Sequence, residues 1–89
     1  MPEREVTISN RLGLHARAAA KLVNLASQFD CEIQLRRDER IANAKSIMGV
    51  MMLAAAKGTA LRLYAEGSDA EQALDQIEAL IRYRFDEPE

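Results

Sequence analysis

The sequence predicts an α+β fold, an open-faced β-sandwich in which a four-stranded antiparallel sheet carries three helices on one face in the order βαββαβα. Three observations predict it. Four short segments alternate polar and apolar residues, the period of a strand with one buried face. Three others repeat apolar residues at helical spacing. The second and third alternating segments are separated only by the polar run Arg37-Asp38-Glu39-Arg40, a connection short enough to imply an antiparallel pair. An antiparallel sheet tolerates one solvated face, so covering helices are needed on one side only.

Glu5 to Ser9 is the first strand, with Val6 and Ile8 on its inner face, and Asn10 to Gly13 supplies the turn that follows. From Ala16 the period changes. Ala19, Leu22, Val23, Ala26 and Phe29 form the buried stripe of a helix expected to end near Asp30, while Arg17, Lys21, Asn24 and Gln28 occupy the opposite face. Cys31 to Arg36 alternates again, with Cys31, Ile33 and Leu35 inward, and a shorter strand lies around Ile41 and Ala42. Ser46 then stands where an N-cap belongs, ahead of a short helix over Ile47 to Leu53, and Gly58 sits at a capping or turn position. Thr59 to Glu66 is the last strand, with Leu61, Leu63 and Ala65 inward and Gly67 closing it. Ser68-Asp69-Ala70-Glu71 has the capping-box pattern for a final helix striped by Ala70, Ala73, Leu74, Ile77, Leu80 and Ile81.

At 89 residues the expectation is one domain over 1–89 with a modest core, burying about 60 to 65% of its unfolded surface. The 48% apolar content and formal net charge of -2 describe a globular chain without the basic footprint of a nucleic-acid binder. Met1-Pro2-Glu3-Arg4-Glu5 has no apolar leader, and no stretch reaches the roughly 18 apolar residues of a membrane helix, so no membrane association is expected and the expected location is cytoplasmic. The single cysteine, Cys31, leaves no internal disulfide to form and reads as a buried core thiol. No metal-ligand cluster, carboxylate pair or glycine-rich phosphate loop is present, which argues against a metal, a cofactor or a free-standing enzyme, and a monomer is the default.

The chemistry concentrates at the only histidine, His15, placed where a turn feeds the first helix. The first-turn amides of a helix have no partners within it, and the peptide dipoles add partial positive charge, so that end favours an anion. A phosphoryl group on His15 would sit in this field. The same field disfavours imidazolium, so His15 is expected to be neutral near pH 7 and available as a nucleophile. Lone histidines near helix ends are commonly solvated bystanders, yet two details stand against that here. Histidine is a poor N-cap, and Arg17 runs against the dipole, where a purely structural helix prefers Asp or Glu. The planar guanidinium of Arg17 suits phosphoryl oxygens.

Ser46 reads first as a cap; a phosphorylation site is the functional alternative, since a phosphoserine is tolerated at a helix N-terminus. The helix behind it is apolar nearly all round, which predicts either burial or an adaptable methionine-rich contact surface, the second being favoured.

Gly13-Leu14-His15-Ala16-Arg17, Lys45-Ser46-Ile47-Met48-Gly49-Val50-Met51 and Gly58-Thr59, in this order on these elements, resemble HPr, the histidine-containing phosphocarrier family of the phosphoenolpyruvate-dependent phosphotransferase system. The resemblance runs the whole length of the chain. It implies that His15 accepts a phosphoryl group on Nδ1 from phosphorylated enzyme I and passes it to an enzyme IIA, with Arg17 holding the phosphoryl oxygens. It implies that Ser46 is the position modified by an HPr kinase/phosphorylase, that Ile47, Met48 and Met51 form a docking patch, and that Ala16, Ala20 and Asn24 face the same partners. The family's run continues with proline where this chain has Ala18. Proline is only a convenience in a first helical turn, so the chemistry should survive. The runs Ala18-Ala19-Ala20 and Met51-Met52-Leu53-Ala54-Ala55 look more like proteobacterial relatives, including the nitrogen-related paralogue NPr, so sugar-linked and nitrogen-linked partners both stay open. The alternative reading is a regulatory adaptor that binds partners according to its phosphorylation state.

Overall fold

The computed structural model describes residues 2–87. Met1 and the terminal Pro88 and Glu89 lie outside the described residues. The elements are β1 (Glu3–Thr7), α1 (Ala16–Ala26), β2 (Glu32–Arg37), β3 (Arg40–Asn43), α2 (Ile47–Met52), β4 (Ala60–Glu66) and α3 (Ala70–Arg82), followed by a short turn over Arg84–Asp86. The strands form one sheet in the order β1-β4-β2-β3, and every neighbouring pair is antiparallel. This is the predicted βαββαβα arrangement.

Strand alternation decides which face the helices cover. Val6, Ile8, Ile33, Leu35, Ala42, Ala44, Leu61, Leu63 and Ala65 point inward and join one buried cluster. The helices contribute Ala18, Ala19, Leu22, Val23 and Ala26 from α1, Val50 from α2, and Ala70, Ala73, Leu74, Ile77 and Ile81 from α3. Each fully buried Leu or Ile is worth about 1.5–3 kcal/mol. A one-residue slip of any strand would turn this set to solvent, so the register Val6↔Leu61 and Leu35↔Leu63 is strongly fixed. On the uncovered face Arg62 pairs with Glu3 at 2.9 Å and Glu5 at 3.5 Å, and the Arg36 guanidinium lies 4.3 Å over the Tyr64 ring. Arg4 faces the helices instead and reaches three carboxylates of α3, Glu71, Asp75 and Glu78, at 2.7–3.1 Å.

Several boundaries differ from the sequence reading: β2 moves by one residue at each end, β4 starts one residue later, and β1, α1 and α2 also differ. β1 begins at Glu3 rather than Glu5, and beyond Thr7 the ladder survives only as Ile8 N–H donating to Thr59 O and Gly58 N–H donating to Ile8 O. α1 ends at Ala26 rather than near Asp30, because the amides of Gln28 and Phe29 tighten onto the Leu25 and Ala26 carbonyls, and Asp69 captures the amides of Asp30 and Cys31 at 2.9 and 3.0 Å. That capture also undoes the expected capping box. Asp69 is the residue at the α3 N-cap, its carboxylate spent on the α1–β2 turn, and Glu71 is held by Arg4. α2 stops at Met52, with Leu53 as its cap and Ala54 in the left-handed region at φ 52°, so Gly58 serves the turn into β4. The side chains of Arg37 and Arg40 donate to the Met52, Leu53 and Ala54 carbonyls, the cation placement a helix C-terminus favours.

Candidate functional site

The loop ahead of α1 is fixed from both sides. Asn10 is fully buried and donates from Nδ2 to Gly13 O at 2.8 Å, while Gly13 N–H returns to Asn10 O at 3.2 Å. Gly13 has φ +66°, and a Cβ there would meet Ala55 O at 2.5 Å, so only glycine lets this loop close against the α2–β4 connection. Leu14 N–H donates to Ala55 O at 2.9 Å and its side chain is buried. The next residue is thereby presented at the surface in extended backbone: His15 is the N-cap of α1.

His15 caps nothing with its side chain, and no acidic residue lies in the first turn of α1. The first-turn amides therefore remain open to an external anion. Arg17 is exposed, with no hydrogen bond or ion pair among the described residues, and it lines with Arg11, Leu12, His15, Ala16 and Glu87 an open depression of about 500 Å3. An exposed cation, first-turn amides without a partner among the described residues and a ring nitrogen thus meet at one hollow.

The fourth component comes from the far end of the chain. After α3, Arg84, Phe85 and Asp86 adopt positive φ of 58°, 56° and 63°, a left-handed turn that carries the backbone back over the loop. Phe85 is fully buried, and Lys21 Nζ donates to its carbonyl at 2.8 Å. Glu87 then hydrogen-bonds His15 Nε2 through Oε2 and accepts from Asn10 Nδ2 at 3.0 Å through Oε1. Burial pushes the Glu87 carboxyl up, but the Asn10 amide, His15 and the charge of Lys21 together outweigh that and leave it below the ordinary carboxylate value. Glu87 is therefore an ionised acceptor. None of Asn10, Lys21, Phe85 or Glu87 was singled out in the sequence as part of the site; the available signal was a lone phenylalanine in the otherwise charged and polar tail Arg82-Tyr83-Arg84-Phe85-Asp86-Glu87.

The other candidates lie on neighbouring surfaces. Ala20 is half-buried and Asn24 exposed on α1, which packs against α2. Ser46 Oγ accepts from Gly49 N–H at 3.1 Å and so caps α2. Val50 alone of α2 is buried; Ile47 and Met51 are exposed, and Met48 at 70% and Met52 at 71% are too open to be core. None of these residues lines the His15 depression. Among the described residues no group of His, Cys, Asp and Glu could hold a metal ion, and no helix is long and apolar enough to cross a membrane.

The family model described as "PTS HPr component phosphorylation site" matches residues 2–83. Among curated relatives the chain is 52% identical over 90 residues to phosphocarrier protein HPr of Pseudomonas aeruginosa, covering 100% of both, and 52% identical over 85 residues to phosphocarrier protein NPr of Shewanella violacea, covering 96% of this chain and 93% of that one. Among solved structures it is similar to HPr from Thermoanaerobacter tengcongensis, with TM-score 0.96, 43% identity and full coverage of both chains. HPr from Bacillus anthracis superimposes with TM-score 0.87 and 41% identity over 90% of this chain and 95% of that one.

Proposed function

Because the chain belongs to the HPr family of phosphocarrier proteins of the phosphotransferase system, we propose that His15 is its carrier residue, accepting a phosphoryl group on Nδ1 from phosphorylated enzyme I and delivering it to the histidine of an enzyme IIA. The observation that carries this reading is His15 at the open N-terminus of α1, beside first-turn amides and an exposed Arg17 that have no partner among the described residues. In an in-line transfer the Nδ1 lone pair forms the new N–P bond as the donor's P–N bond breaks, and the amides and Arg17 meet the charge on the equatorial oxygens. The carrier must also let go. One exposed arginine and an open hollow hold a phosphoryl group without trapping it, whereas a closed cage of cations would make the histidine a sink.

Partner docking falls to the exposed face of α2, with Ile47, Met48 and Met51, and to Ala16, Ala20 and Asn24 on α1, the α1 and α2 elements being packed together. Ser46 is the regulatory position: a phosphate added there by an HPr kinase/phosphorylase would place nearly two negative charges beside an apolar interface and oppose docking. The protein acts as a cytoplasmic monomer, and with no separate active site it is a relay rather than a free-standing enzyme. The exposed methionines also favour a second reading, a regulatory adaptor whose partners sense its phosphorylation state.

Intact mass after incubation with phosphoenolpyruvate and enzyme I tests the carrier reading, run with sugar-linked and nitrogen-linked enzyme I in parallel. One acid-labile phosphoryl adduct that vanishes in His15→Ala is the expected result, and the faster donor names the branch. No adduct with either donor overturns the carrier role of His15. Partner binding that persists unchanged in His15→Ala favours the adaptor.

A further inference from the structure

We propose that Glu87, brought to the site by the left-handed C-terminal turn, is a positioning residue that keeps the ring proton of His15 on Nε2 and so presents Nδ1 as the phosphoryl-accepting nitrogen. This deepens the phosphocarrier reading of His15 and rests on it.

The hydrogen-bond inventory settles the direction of the contact. A neutral imidazole has one N–H donor and one acceptor nitrogen, and an ionised carboxylate only accepts. Nε2 must therefore donate to Glu87 Oε2, which leaves the lone pair on Nδ1. The carboxylate cannot swing aside freely, because its other oxygen accepts from Asn10 Nδ2, whose second hydrogen is committed to Gly13 O. The strap behind it is anchored by the buried Phe85 ring and by Lys21 on the Phe85 carbonyl. Three consecutive non-glycine residues in the left-handed region are a costly way to end a chain, and what that geometry secures is the carboxylate at Nε2.

The proton stays in place through both half-reactions. When Nδ1 forms its bond to phosphorus and the donor nitrogen leaves with the electrons of the old P–N bond, the ring becomes a phosphoimidazolium cation, still N–H at Nε2 and facing the Glu87 carboxylate. In the outgoing transfer the P–Nδ1 bond breaks and its electrons return to Nδ1, giving back the neutral ring with no proton taken up. One carboxylate thus serves the ring both as nucleophile and as leaving group.

Two variants separate this role from simple packing. In Glu87→Ala the ring loses its partner, so long-range 1H–15N NMR of the His15 ring at mildly alkaline pH should show mixed tautomers. In Glu87→Gln the effect should be sharper. Asn10 Nδ2 still requires an acceptor, so the new amide turns its carbonyl to Asn10 and its NH2 to His15, which donates to Nε2 and moves the ring proton to Nδ1. Phosphoryl acceptance should fall about tenfold in Glu87→Ala, the lower end of the scale on which carboxylate partners of metal-bound histidines act, and further in Glu87→Gln. A wild-type ring protonated on Nδ1, or variants with unchanged tautomer and unchanged transfer rate, overturns the proposal. Failure of the wild-type protein to take phosphate at all is a different result: it overturns the carrier reading of His15, and Glu87 falls with it as an aid to transfer.

Discussion

Truncating Phe85 to alanine should detach the C-terminal strap rather than unfold the molecule. The ring is fully buried, and a Phe→Ala change in a core that holds its shape costs about 3–5 kcal/mol. Against the strap stand its three left-handed residues, at about 1–2 kcal/mol each, and the ordering of the backbone over Arg84 to Glu87, at about 1–2 kcal/mol per residue. Those opposing contributions come to about 7–14 kcal/mol. Without the ring, the side-chain bonds from Lys21 to the Phe85 carbonyl and from Asn10 and His15 to Glu87 remain, each worth about 1.5–3 kcal/mol as a hydrogen bond to a charged group, together with the two backbone bonds of the turn, from Asp86 to Tyr83 and from Glu87 to Arg84, at about 0.5–1.5 kcal/mol each. Together these give about 5.5–12 kcal/mol, which is below the opposing sum for central values. The chain end then comes away.

Hydrogen exchange is the assay, because the amides of Asp86 and Glu87 donate to Tyr83 O and Arg84 O within the strap. In Phe85→Ala they should lose protection while the amides of β2 and β4 keep theirs, and the His15 ring should show the mixed tautomers of Glu87→Ala. The loss of global stability should stay below the full 3–5 kcal/mol of a core Phe truncation, since the released end sheds its strain. Strap amides that stay protected in Phe85→Ala, with an unchanged His15 tautomer, would refute the anchoring argument.

Two further outcomes follow from the backbone and from burial. Ala54→Gly should stabilise the protein: the exposed Ala54 has φ 52°, and relief of about 1–2 kcal/mol outweighs the about 0.5–1 kcal/mol of extra chain entropy that glycine loses, for a net gain near 0.5–1 kcal/mol and a Tm rise of about 2–8 °C by thermal melting. A lower Tm would show that the left-handed geometry is not strained there. The Cys31 thiol is pushed up to about 11, first by burial and then by Asp69, from 9.0. Its folded value is raised, so the stability linked to it is intact below pH 9 and is lost as pH rises toward 11, by about 2–3 kcal/mol. Denaturation between pH 8 and 11 should therefore show a steeper alkaline loss than Cys31→Ala, and equal slopes would count against it.

How much could be read from the chain depended on how far apart the interacting residues lie. Strand alternation and helical stripes are written in neighbours two to four residues apart, so the sheet, its inward face and all three helices were legible. His15 and Arg17 were legible for the opposite reason: each breaks a local rule, a weak cap and a cation at the positive end of a helix, and such breaches concentrate where function overrides stability. The C-terminal end of α1 and the cap of α3 were misread because one carboxylate, Asp69, chose a partner 39 residues away over its own helix. The same distance problem hid Glu87, which lies 72 residues from His15 and is delivered by backbone angles that no local preference of Arg or Phe announces. A lone Phe85 in a charged tail was the only trace. An apolar side chain that large is rarely left in water when a groove can take it, and once Phe85 is buried the residues after it have little freedom about where to go. The nucleophile, then, is a local property of the α1 N-terminus, while the choice of its reacting nitrogen belongs to the closure of the whole chain.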